Sequence, residues 1–196
     1  MVNLIGSPGS GKTTLLEATL PRLGLRAAVV EGDVATERDA ERIRALGVQS
    51  VQINTQGGCH LEAHLVERAL AQLDLEGVDL LFVENVGNLV CPAEFDLGED
   101  CKVAVCSVPE GSDKPLKYPA LFSQAGAVLL TKMDLLSAVR FDRELFWGDV
   151  GRLNPKASRF EMDSLSGEGI EAWCGRLRGL LGEKRGSTRG NLVEGR

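Results

Sequence analysis

Histidine is nearly absent from this chain of 196 residues: there are two, His60 and His64, both within the stretch QGGCHLEAH at 56–64. Any imidazole chemistry is confined to that stretch. No apolar run approaches 18 residues, which excludes a membrane-spanning helix. A basic excess is also missing: 22 lysines and arginines stand against 28 aspartates and glutamates, for a formal charge of −6. General affinity for nucleic acid or anionic membrane needs a basic face, so neither is expected as a partner. The N-terminus shows no charged region followed by an apolar stretch and a cleavage site, and a cytoplasmic location is expected. Five cysteines (Cys59, Cys91, Cys101, Cys106, Cys174) form an odd set at irregular spacing, unlike a secreted disulfide framework. Free thiols and metal ligands are the options that remain. There is no internal repeat.

What the chain does have is a regular alternation of short apolar runs and longer helical patterns. VNLIG, RAAVVEG, VQSVQIN, VDLLFVEN, CKVAVCSV, AVLLTK and SRFEM read as strands. Between them, 13–23, 37–46, 61–73, 141–152 and 169–181 carry apolar residues at helical spacing. Runs such as LLFV and AVLL do not alternate with polar residues, so both faces of those strands are expected to be covered. The pattern predicts a three-layer α/β fold, with a mostly parallel sheet and helices on both faces. Residues 1–181 form the expected domain, and the polar, glycine-broken 182–196 a loose tail.

The first strand runs into GSPGSGKTT, which fits G-x-x-x-x-G-K-[ST] with a strand before it and a helix after it. Gly6, Gly9, Ser10 and Gly11 allow backbone N–H groups to curl around a β-phosphate, and the helix N-terminus adds partial positive charge. Lys12, expected as an exposed point charge, reaches the β- and γ-phosphates; Thr13 ligates Mg²⁺, and Thr14 completes the motif. In VENVGN, Glu84 at a strand tip would hold Mg²⁺ through water, and the Gly87 N–H would sense a γ-phosphate. Asp33, in EGDVATERD, falls at the same sheet edge, where ligands of open α/β sheets bind; a helix N-cap is its bland alternative. LLTKMDLL matches [NT]-K-x-D. Asp134 can accept from guanine N1–H and N2–H₂, Lys132 can cover the base with its stem, and Thr131 opens the motif, so GTP is favoured over ATP. DSLSGEG is a partial match to a loop that meets guanine O6, with Ser164 where alanine is usual.

Cys59 and His60 precede a further cysteine, Cys91, in NLVCPAEFDLGE, just past the Glu84 loop. Thiolate and neutral imidazole suit Zn²⁺ and Ni²⁺. Spacing alone leaves core packing open, with His60 as a cap of the following helix, and three donors leave a tetrahedral shell short.

Taken with GSPGSGKTTLLE, EGDVATERDAERI, PEGSDKPLKYP and TKMDLL, the segments GGCHLEAH and ENVGNLVCPAEFDLGE make the chain resemble the HypB family of hydrogenase-maturation GTPases, relatives of the urease accessory GTPase. That resemblance implies a P-loop GTPase with slow GTP hydrolysis to GDP, using Lys12, Asp33 and Glu84, with Mg²⁺ held by Thr13, Asp33 and Glu84. It implies Ni²⁺ or Zn²⁺ on Cys59, His60 and Cys91, at the interface of a GTP-dependent homodimer, which would supply the missing coordination. Its implied partners are other hydrogenase maturation proteins and the hydrogenase large subunit. A urease-type nickel GTPase and a non-catalytic metal carrier are the alternatives. Family members often carry a segment before the first strand, sometimes with a cysteine-rich or histidine-rich nickel motif; this chain begins at the strand. Ser112 stands where the family often has aspartate, and Asp163 and Ser164 replace the usual Ser-Ala. His64 is expected to support the site or the helix rather than to ligate, and Cys101, Cys106 and Cys174 to lie in the core.

Overall fold

The computed structural model describes residues 1–33 and 38–193, with side-chain surroundings as far as Gly186. Seven strands, β1 (Val2–Gly6), β2 (Ala27–Asp33), β3 (Gln49–Asn54), β4 (Leu80–Glu84), β5 (Cys101–Ser107), β6 (Ala127–Thr131) and β7 (Ser158–Glu161), form one sheet in the order β3-β2-β4-β1-β5-β6-β7. Every pairing is parallel, so the expectation of a mostly parallel sheet is met in full.

The connections are α1 (Lys12–Leu23), α2 (Arg38–Arg44), α3 (Ala63–Leu70), α4 (Cys91–Glu94), α5 (Lys114–Lys117), α6 (Pro119–Gln124), α7 (Arg143–Leu153) and α8 (Ile170–Val193). Successive strand residues point to opposite faces, and the core divides accordingly. Leu4, Val29, Phe82, Val103 and Leu129 pack under α1 and α8 with Leu15, Leu16, Trp173 and Leu177. Their neighbours Ile5, Ala104, Val128 and Leu130 face α6 and α7 through Phe122, Phe146 and Val150. Val30 and Val83 pack with Leu61, Val66 and Ala69 on and before α3. Each such fully buried aliphatic or aromatic side chain contributes about 1.5–3 kcal/mol of burial free energy, which explains why the runs are apolar throughout rather than alternating.

The short helices α4, α5 and α6 carry no periodic signal long enough to read in the sequence. The helix expected at 37–46 begins at Arg38 among the described residues; position 37 lies outside them. The last helix differs most. It continues through Gly182 and Gly186 to Val193, where the composition predicts a loose tail. Exposed tertiary ion pairs tether it there: Lys184 pairs with Asp100, and Arg185 with Asp79 at 2.6 Å.

The order β3-β2-β4 has one consequence for the site. The chain leaving β3 must cross the end of β2 to reach α3 and the loop after β4. Gly32 makes room for that crossing: a Cβ there would lie 2.8 Å from Leu61 Cδ1.

Candidate nucleotide and metal site

The loop between β1 and α1 closes on itself around Lys12. Gly9 and Gly11 hold φ of 75° and 92°, which glycine adopts without steric cost. Gly6 has no room for a side chain, since a Cβ would lie 2.4 Å from the Val105 carbonyl oxygen. Lys12 Nζ donates to the carbonyls of Gly6 at 3.2 Å and Ser7 at 3.3 Å. The side chain is buried at 6% exposure, not an exposed point charge; the loop wraps it and leaves its ammonium at the mouth of the cradle. α1 begins without a side-chain cap, so its first N–H groups are available to an anion.

A cavity of about 520 Å³ opens over this loop, lined among others by Lys12, Thr13, Thr14, Asp33, Glu84 and Gly87. Thr13 Oγ1 donates to Glu84 Oε1 at 3.0 Å. Gly87 packs directly on the phosphate loop: a Cβ there would meet Pro8 Cγ at 2.8 Å.

Glu31 escapes sequence reasoning, although it is the acidic residue nearest Glu84. The two are in register on adjacent parallel strands and therefore face the same side. Burial, then the facing carboxylate of Glu84, push Glu31 well above the usual carboxylate range; burial also raises Glu84. Glu31 Oε1 and Glu84 Oε2 are buried without a hydrogen-bond partner, a donor set that fits a hard cation. The signal in the sequence is an acid two residues before Asp33, directly after the apolar run AAVV of the same strand. A carboxyl raised in the folded state favours folding at acid pH and loses that contribution as pH rises through the folded value. Glu31→Gln should therefore melt higher than the parent protein at pH 8 without nucleotide. The gap should close below the ordinary carboxylate value of 4.5. Calorimetric melting at both pH values checks this, and a gap independent of pH would refute it.

At the end of β6, Thr131 Oγ1 donates to the Ser10 carbonyl at 2.6 Å, and Lys132 Nζ to that of Gly9 at 2.7 Å. Lys132 holds a φ of 58°, unusual for a side chain with a Cβ, and this turns the chain into the short 3₁₀ turn Met133–Leu135 that exposes Asp134. The Met133 N–H donates to the Met162 carbonyl, which brings Asp134 and the loop of Ser164 to neighbouring positions at the cavity's edge rather than in its wall. Asp163 shapes that loop by accepting from the N–H groups of Leu165 and Ser166.

Beyond Gly87 the sulfur donors meet. Cys59, on the loop after β3, and Cys91, at the start of α4, place their Sγ atoms 3.0 Å apart as free thiols. His60 Nδ1 lies 3.6 Å from Cys59 Sγ. Donor atoms of Cys59, His60 and Cys91 all fall within 4.8 Å of one another. His60 does not cap α3, whose N-cap is Glu62; its ring stacks on Phe95 at a centroid distance of 3.7 Å. His64 turns away and pairs with Glu62 at 3.2 Å. The hydrogen bond to Cys91, above all, raises the Cys59 thiol from its ordinary value. Cys101, Cys106 and Cys174 are buried in the core.

Residues 1–161 match the family described as CobW/HypB/UreG, nucleotide-binding domain. The hydrogenase maturation factor HypB of Azotobacter vinelandii is 56% identical over 91% of this chain and 61% of its own length. That of Escherichia coli K12 is 51% identical over 88% of this chain and 60% of its own. The chain thus spans about three fifths of these relatives. The hydrogenase/urease maturation factor HypB of Helicobacter hepaticus is 42% identical, with 94% of this chain and 76% of that protein covered. A crystal structure of HypB from Helicobacter pylori in complex with nickel superposes with a TM-score of 0.90 at 42% identity, covering 93% of this chain and 87% of the other. The glycine-rich loop, the TKMD segment and the cysteine pair accordingly lie on a fold and a sequence shared along nearly the whole chain, and the chain belongs to the CobW/HypB/UreG family, among the HypB maturation factors.

Proposed function

We propose that the chain is a GTP-hydrolysing metallochaperone that binds Ni²⁺ or Zn²⁺ and serves nickel insertion into nickel–iron hydrogenase. The observation that carries this reading is the meeting of two thiols and an imidazole, one of the thiols on Cys91 just beyond the segment from Glu84 to Gly87 that lines the cavity over the phosphate loop. Thiolate and imidazole suit both ions, and the named neighbour from Helicobacter pylori was crystallised with nickel. In this reading the backbone N–H groups from Gly9 to Thr14 bind the phosphates and Lys12 neutralises the oxygen that gains charge as the γ-phosphate leaves. Thr13, Asp33 and Glu84 hold Mg²⁺, which offsets the charge of the β- and γ-oxygens when bound. Asp134, Lys132 and the Ser164 loop read guanine, and Thr131 ties their loop to the phosphate loop.

The exposed position of Cys59, beside exposed Val90 and Phe95, supports a homodimer in which a second subunit completes the coordination. Other hydrogenase maturation proteins and the hydrogenase large subunit are the proposed partners, and the cytoplasm the proposed compartment. Service to urease as well is a second reading, favoured by the hydrogenase/urease designation of the Helicobacter relatives.

Turnover of GTP by the purified protein with Mg²⁺ tests the enzyme against a carrier that uses nucleotide only as a conformational ligand. Lys12→Ala should lower that turnover by about a hundredfold or more, the scale for losing one group that stabilises developing charge. Circular dichroism should show the fold retained. A parent protein with no turnover above background would leave the carrier.

A further inference from the structure

Two asparagines in ENVGN connect the nucleotide loop to the metal loop, and they do so differently. Asn85 is fully buried and fixed on every side. Its Oδ1 accepts from the N–H groups of Leu61 at 3.2 Å and Val86 at 3.0 Å, while its Nδ2 donates to Asn3 Oδ1 of the central strand at 3.2 Å. Leu61, the residue after His60, is thereby pinned to the sheet. Cys59, two residues earlier, is not.

Asn88 is half-buried at the rim and spans the gap between the sulfur-bearing loops. Its Nδ2 donates to the Cys59 carbonyl at 3.2 Å, and its Oδ1 accepts from the Val90 N–H at 2.9 Å, next to Cys91. One carboxamide thus joins the residue that carries the first thiol to the residue that precedes the second. On the other side of Asn88 is Gly87, packed against Pro8 and lining the cavity over the phosphate loop. A shift of Gly87 toward or away from a γ-phosphate is carried by one peptide unit into Asn88.

We propose that Asn88 is a positioning residue that holds the Cys59 and Cys91 thiols on one ion and passes the state of the phosphate-facing loop to them. The proposal rests on the metal reading above and deepens it. Because coupling is reciprocal, a metal that orders Asn88 also biases the loop that meets the nucleotide.

The test is calorimetric titration of the full chain with Ni²⁺, in GDP and in a non-hydrolysable GTP analogue, together with Co²⁺ absorption, whose thiolate-to-metal band reports how many sulfurs bind. The parent protein should show different Ni²⁺ affinities in the two nucleotides and a two-thiolate band. Asn88→Ala should weaken Ni²⁺ by about tenfold to a hundredfold, the range for groups that orient metal ligands, bring the affinity ratio between nucleotides close to one, and reduce the band. Asn88→Ser, whose hydroxyl can still accept from the Val90 N–H two residues on but is too short to reach the Cys59 carbonyl, should do the same and serves if the alanine variant does not fold. A merely structural asparagine would lower the melting temperature and leave the ratio and the band at parental values, which overturns the proposal, as does a parental ratio of one. Cys59→Ala is the control: if it binds Ni²⁺ as the parent does, the metal reading is itself wrong. If it loses Ni²⁺ while Asn88→Ala is parental, only the role of Asn88 falls.

Discussion

Replacing either Cys59 or Cys91 by alanine should weaken Ni²⁺ and Zn²⁺ by more than about a hundredfold, beyond the range typical of groups that merely support a ligand. Three donors lie within 4.8 Å of one another, and each substitution takes away one of them. The cost to the fold should be small, because Cys59 is exposed and Cys91 only partly covered. pH supplies an independent check. The Cys59 thiol is held above its ordinary value by the hydrogen bond to Cys91, so it is protonated near neutrality and must release a proton to bind metal. Affinity should therefore rise with pH, by up to about tenfold per unit for each proton released, and level off once the thiols are ionised without metal. Calorimetry in buffers of different ionisation enthalpy counts the protons. Alanine variants that melt lower yet titrate like the parent would mean that the sulfurs are packing groups. His64→Ala should change little, since His64 faces Glu62 rather than the sulfurs.

Asp134→Asn should weaken GTP by about 2–4 kcal/mol, or roughly thirty- to a thousandfold, and turn preference toward XTP. The turn Met133–Leu135 exposes Asp134, and the bonds from Thr131 and Lys132 to the carbonyls of Ser10 and Gly9 fix that turn against the glycine-rich loop. A carboxylate there accepts from N1–H and N2–H₂ of guanine; an amide keeps an acceptor for N1–H but sets its own N–H₂ against the N2–H₂, donor against donor. Xanthine carries a carbonyl at C2 and can accept from that amide. Competition of GTP, XTP and ATP against a fluorescent nucleotide measures the change. Unaltered GTP affinity, with ATP competing equally, would remove the guanine assignment.

Strands and the phosphate loop were legible because their signals are local. Burial on both faces writes itself as LLFV or AVLL, and the cradle needs its glycines and lysine at fixed spacing. The partnership of Cys59 with Cys91 was not legible from spacing, since 32 residues separate them and the contact depends on a chain crossing over β2. Family resemblance pointed to it; the geometry at Gly32 and Leu61 explains it. Glu31 went unnoticed because its meaning lies in register with Glu84 on another strand. Asn88 went unnoticed because a carboxamide has no fixed chemistry until its two neighbours are known. Beyond 181 the composition shows the glycines but not the ion pairs of Lys184 and Arg185 to Asp100 and Asp79, which join residues far apart in the chain.

The strand order also bears on how the molecule comes into being. β1 precedes the other six strands in the chain yet sits at the centre of the sheet, where Val2 pairs with Phe82 on one side and Cys101 on the other. Neither ladder of that strand can close until the chain has reached Phe82 and Cys101, and closing such long loops is slow. The strand that ends in the phosphate cradle thus waits as an apolar edge, open to aggregation, while β2 and β3 can pair with each other at short separation. On a ribosome, the phosphate cradle therefore takes its final shape only after β4 and β5 have followed, although its motif directly succeeds β1.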